Sequence, residues 1–108
     1  MIIKKHRKKS AAVSFLENIT GGALTLGGLL EAIRNTEEIS QQEFALQLGI
    51  SKSHLCYIEK GRKNVSPERA AKFAKILGYS PSHFVKLSLQ AQIKEAGLTY
   101  DVELKKVA

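Results

Sequence analysis

Residues 41–60 read QQEFALQLGISKSHLCYIEK, and the spacing within this stretch decides the fold. Just ahead of it, Ser40-Gln41-Gln42-Glu43 forms a capping box. The Ser hydroxyl caps the first turn of a helix and the Glu three residues later reaches back. Phe44, Ala45 and Leu48 give that helix an inner face, and Gly49 suits the positive-φ turn at its end. Ser51 caps the next helix, whose Leu55 and Ile58 point inward, and Gly61 closes it. Counted from Gln41 as position one, Ala45 is fifth, Gly49 ninth, Leu55 fifteenth and Ile58 eighteenth. Ala45 is small because the second helix crosses close to it, Gly49 permits the tight turn, and Leu55 and Ile58 fix the crossing angle.

That is the spacing of a helix-turn-helix, in which the second helix enters the DNA major groove. The flanking sequence supports it with more helices. From Thr25, the residues Leu26, Leu29, Leu30 and Ile33 form one apolar stripe, and this helix ends near Asn35. Ser66-Pro67 and Ser80-Pro81 each place Ser at an N-cap and Pro at the first helical position. The helix after Ser66 carries Ala70, Ala71, Phe73, Ala74 and Leu77 and ends at Gly78. The one after Ser80 carries Phe84, Val85, Leu87 and Leu89 and runs to Ala96 before Gly97. The fold class is therefore all-α across residues 25–96.

The two ends are different. Residues 1–10 (MIIKKHRKKS) show no hydrophobic period and read as a basic arm. Within residues 11–24, Val13, Phe15, Leu16 and Ile19 allow a short extra N-terminal helix before a Gly-rich hinge at Gly21-Gly22. The run GGALTLGG lacks the Lys-Ser/Thr of a phosphate loop and reads as a flexible entry into the next helix. In residues 97–108 the period changes to two. Leu98, Tyr100, Val102 and Leu104 alternate with Thr99, Asp101, Glu103 and Lys105, the pattern of a half-buried strand. A lone strand needs a partner. Two readings stay open: tails paired across the twofold axis of a dimer, or a segment laid along the chain's own helices.

Charge is consistent with a DNA partner. The chain has 17 Lys+Arg and 10 Asp+Glu, a net charge of +7, which points to a polyanion. Its distribution is more informative than its sum. Residues 1–9 carry +5, residues 10–49 carry −4, residues 50–75 carry +5 and residues 76–108 carry +1. One basic block thus spans the second helix of the pair and the residues just beyond its end.

The stretch SQQEFALQLGISKSHLCYIEKGRKNVSPERAAKFAKILGYS, within a similarity running from about Leu26 to Leu89, resembles the lambda-repressor-like, Xre-type helix-turn-helix family. The resemblance implies a five-helix domain acting as a dimer on a pseudo-palindromic operator. Within the family, residues from Val65 to Ala91 look most like antitoxins of the HigA type, and the C-terminal strand is similar to the pairing tail of HipB-type antitoxins. By the same resemblance, Gln41 looks like a phosphate anchor that also stiffens the reading head, with Gln42 beside it. Lys52, Ser53 and Tyr57 occupy the positions that contact base edges, flanked by Ser51 and His54. Lys52 can donate to guanine O6/N7, which favours a G-containing half-site. Arg62, Lys63 and Asn64 lie where family members grip phosphate. On the paired-tail reading, which the resemblance to HipB-type tails implies, Leu98, Tyr100, Val102 and Leu104 are the expected dimerisation residues. Tyr57 departs from the family in being bulky.

The function expected is a sequence-specific double-stranded DNA-binding regulator, a repressor or autorepressor. The alternative is an antitoxin that neutralises a protein toxin and represses its own operon. No nucleophile–base pair, metal cluster or cofactor motif stands out, so no enzyme, catalytic residue, metal or cofactor is expected. The single Cys56 excludes an internal disulfide and reads as an ordinary thiol in a reducing cytoplasm, in a bacterial or phage-type setting. With no long apolar run, no membrane partner is expected.

Overall fold

A computed structural model describes residues 24–107, and among these it holds five α-helices and no strand. They are α1 Leu26–Thr36, α2 Gln41–Leu48, α3 Lys52–Glu59, α4 Pro67–Leu77 and α5 Pro81–Glu95. The basic arm at 1–10 lies outside the described residues, as does the segment 11–24 apart from Leu24.

Each helix but the last begins where a side chain satisfies an otherwise orphaned amide. Thr25, Ser40, Ser51 and Ser66 are extended N-caps accepting from the amides of Gly28, Glu43, His54 and Arg69. Ser80 departs from expectation: it precedes α5 but makes no side-chain cap bond. Its backbone ψ is 120°, against 155–161° at the capping serines Ser40, Ser51 and Ser66. Its hydroxyl instead shares a hydrogen bond with that of Ser82 at 2.9 Å. Gly49 takes φ 74°, ψ 30°, the left-handed conformation that lets the chain turn from α2 into α3.

One core joins all five helices. Leu29, Leu30 and Ile33 of α1, Phe44, Ala45 and Leu48 of α2, Leu55 and Ile58 of α3, Ala70, Phe73 and Ala74 of α4 and Phe84 of α5 are buried together. Leu24 and Val65, which no periodic stripe identifies, join them from the connecting segments. The most extensive helix–helix packing is between α4 and α5, a platform against which the α2–α3 pair is set.

Gly27 and Gly28 form part of α1 rather than a flexible entry to it. Gly27 is buried, and a Cβ there would stand 2.0 Å from the carbonyl oxygen of Ile58. Its missing side chain is what lets α1 and α3 approach so closely.

The expected C-terminal strand is not formed. A strand needs a neighbouring edge, and this chain has none to offer among its described residues. The tail lies along its own last helix. The Gln90 side chain of α5 donates to the Tyr100 carbonyl at 2.7 Å and accepts from the Val102 amide at 2.8 Å. Val102 and Leu104 are half-buried, whereas Leu98 and Tyr100 remain exposed.

Candidate nucleic-acid interface

The surface of α3 is set by its register. Leu55, Ile58 and Glu59 face inward, so Lys52, Ser53 and Tyr57 face outward, with Ser51 exposed at the cap. Tyr57 is 49% exposed. His54 and Cys56 sit at the margin, half-buried. Arg62 and Lys63 follow in an exposed loop. An ammonium, two serine hydroxyls, a phenol and an imidazole thus share one exposed helix flank with cations beside it. These are the donor and acceptor types that can meet base edges and phosphates.

The buried end of α3 is ionic. Glu59 is only 8% exposed, and Arg34 of α1 meets it with two parallel bonds, Nε to Oε2 at 2.9 Å and Nη2 to Oε1 at 3.0 Å. Gln41, the first residue of α2, donates from Nε2 to Glu59 Oε1 at 3.0 Å. Arg34 also donates from Nη1 to the Ile39 carbonyl at 3.4 Å. The Glu59 carboxylate, directly to Arg34 and Gln41 and through Arg34 to Ile39, therefore ties together α1, the α1–α2 loop, the start of α2 and the end of α3. Its hydrogen bond and charge hold the Arg34 guanidinium even further above its already high pKa, against the opposing effect of burial. Gln41 is half-buried and engaged in this network, so one of its amide protons is committed inside the protein.

The remaining expected contacts divide. Gln42 is exposed on the first turn of α2. Asn64 is exposed too, but its side-chain amide donates to Glu95 at the end of α5 and is engaged there. His54 is drawn toward α4: its Nδ1 lies 3.5 Å from Nη1 of Arg69. Partial burial, and then the positive charges of Lys63 and Arg69, hold the imidazole below its usual pKa.

A family model described as Helix-turn-helix matches residues 30–84, just over half of the 108-residue chain. The chain belongs to the lambda-repressor-like helix-turn-helix family. The match begins within α1 and ends within α5, so it takes in the whole α2–α3 pair and its ionic anchor at Arg34 and Glu59. Helix-turn-helix proteins of this kind are DNA-binding regulators. No curated protein and no solved structure matches the chain. Among the described residues no helix is long and apolar enough to cross a membrane.

Two functional side chains escape the sequence pattern. Arg69 sits in the first turn of α4, where nothing in the spacing links it to His54. Glu59 does leave a trace: it lies four residues after Leu55 and next to Ile58, on the inward stripe. An acid there requires a buried partner.

Proposed function

We propose that this helix-turn-helix protein is a sequence-specific regulator that reads double-stranded DNA with the outward face of α3. Lys52, Ser53 and Tyr57 meet base edges, with Ser51 and His54 alongside. Arg62, Lys63, Gln41 and Gln42 approach phosphate, and Asn64 serves this surface only if its bond to Glu95 is released. The observation that carries the reading is the coincidence of two independent features. The residues left outward by burial of Leu55, Ile58 and Glu59 are polar donors, and they fall inside the segment 50–75 with its net charge of +5. Phosphate contacts supply affinity and salt dependence, and base contacts supply choice of sequence.

The regulator acts as a dimer that represses, its own gene included. Support for a dimer comes from the tail. In extended chain, alternate residues turn their backbone groups to opposite edges. Gln90 occupies the edge presented by Tyr100 and Val102, leaving the Asp101 and Glu103 edge for a second copy. The exposed Leu98 and Tyr100 then gain cover, with Val102 and Leu104 behind them. On this reading the chain divides into an arm at 1–10, a hinge segment at 11–24, a DNA-binding domain at 25–96 and a dimerisation tail at 97–108.

A mobility-shift assay on the DNA just upstream of the gene tests the reading, with Lys52→Ala and Tyr57→Ala as companions. Specific retardation that both variants lose is expected. Equal loss on random DNA would show that these residues grip phosphate, and no specific band for the native chain would remove autoregulation.

A second reading, an antitoxin with a cognate protein toxin, is favoured by one observation. Leu46, Ile76 and Tyr79 are large apolar side chains left exposed, the residue type that a protein partner covers. Co-expression with the product of an adjacent reading frame tests it. A toxic product that this chain neutralises supports the reading, and a harmless one that does not co-purify opposes it.

A further inference from the structure

We propose that Arg69, in the first turn of α4, fixes the tautomer of His54 and so makes His54 a reader of hydrogen-bond acceptors on the DNA. This rests on α3 being the DNA-reading helix. Arg69 acts here as a positioning residue, through the imidazole.

The geometry leaves one consistent proton assignment. Arg69 Nη1 stands 3.5 Å from His54 Nδ1. A guanidinium has only N–H donors and no acceptor, so Nδ1 must present its lone pair. In the neutral ring the proton then resides on Nε2. The charged groups acting on the ring are both cations, Lys63 from the α3–α4 loop and Arg69 from α4, and with partial burial they favour the neutral form. Arg69 is itself held in place. Its backbone amide donates to the Ser66 hydroxyl at 3.2 Å, and α4 is packed on α5.

A neutral imidazole donating from Nε2 selects among base edges. Guanine N7 and O6, adenine N7 and thymine O4 accept such a bond, whereas the exocyclic amines of cytosine and adenine do not. The same ring with its proton on Nδ1 would turn an acceptor outward and invert that preference. Arg69 is exposed, and its remaining N–H groups are free to approach phosphate. The DNA-facing surface then extends from α3 across to α4.

The test has two arms. In the first, the full-length chain without DNA is labelled with nitrogen-15, and long-range proton–nitrogen spectra report the His54 tautomer. The native chain and Arg69→Lys are expected to show Nε2–H, Arg69→Gln a mixture, and Arg69→Glu a shift to Nδ1–H. The same tautomer in all four proteins overturns the proposal. In the second arm, affinity is measured on the upstream duplex and on a shuffled one. His54→Ala and Arg69→Gln should each lower the specific-to-shuffled ratio by about tenfold, the scale of a good base contact. A tautomer that changes while the ratio holds overturns the base-reading role. A native chain with no preference between the duplexes overturns the DNA reading itself, and His54's role with it. Because the first arm contains no DNA, the two failures are distinguishable.

Discussion

Arg34 and Glu59 stand 25 residues apart and meet as a two-pronged ion pair that joins the last turn of α1 to the last residue of α3. The Glu59 side chain is 1% exposed and that of Arg34 16%. Removing one partner leaves the other charged with no counterpart, a loss of about 3 kcal/mol or more when the survivor is buried. Arg34→Met should therefore destabilise strongly, read as a lower urea midpoint. Arg34→Met combined with Glu59→Leu should regain much of that loss, because an apolar pair strands no charge. Additive losses in the double variant would contradict this account of the pair.

Gly27→Ala should destabilise even though Ala is the better helix former by about 1 kcal/mol. The added carbon would meet the Ile58 carbonyl at 2.0 Å, and backbone cannot swing aside as a side chain can. Overpacking of this kind costs about 1–3 kcal/mol. Gly28→Ala is the control, since its Cβ meets only Thr25 Oγ1 at 3.1 Å and Leu24 Cδ1 at 3.9 Å. Thermal unfolding should rank Gly27→Ala well below Gly28→Ala.

Ser66 and Ser80 look alike in sequence, each followed by Pro, yet only Ser66 caps its helix. Ser66→Ala should cost about 1 kcal/mol, the usual value of an N-cap. Ser80→Ala should cost under about 0.5 kcal/mol, as befits a surface change with no special role. Chemical denaturation of the two variants side by side checks this, and equal losses would contradict the assignment.

His54 gives stability a pH dependence of known sign. Its folded pKa is below the unfolded value of about 6.5. Above both values the ring is neutral in both states and contributes nothing. As pH falls through about 6.5 the unfolded chain takes up the proton first, so stability declines until the folded pKa is passed. Between about pH 7.5 and pH 5.5, the urea midpoint should therefore fall less for His54→Gln than for the native chain. An equal fall in both would remove His54 as the source.

Much of this was legible in the sequence because several local signals agreed. Ser40, Gly49 and Ser51 mark the ends of α2 and α3, and the stripe through Phe44, Leu48, Leu55 and Ile58 shows which faces turn inward. Outward positions such as Lys52 and Tyr57 are then found by subtraction. The ion pair was not legible, because Arg34 reads as an ordinary surface cation and only the fold brings it to Glu59. Nor was the close approach at Gly27, since glycine looks the same in a hinge and at a helix crossing. The tail's alternation was visible, but alternation specifies a face and not a partner. In the single chain the Gln90 side chain, rather than another strand, bonds the Tyr100 and Val102 backbone. Ser80 makes no cap bond, and its hydroxyl is bonded to that of Ser82, a pairing the Ser-Pro signature does not reveal.

The central claim is that the exposed face of α3 is the DNA-reading surface. Amide chemical-shift mapping of the labelled chain, titrated with duplex from upstream of its gene, tests it most directly. The largest shifts should fall on residues 51–57, with Arg62 and Lys63 next, and should persist as salt is raised more strongly than those given by a shuffled duplex. Shifts centred on the acidic surface around Glu31, Glu37 and Glu38, or an identical pattern with both duplexes, would contradict it.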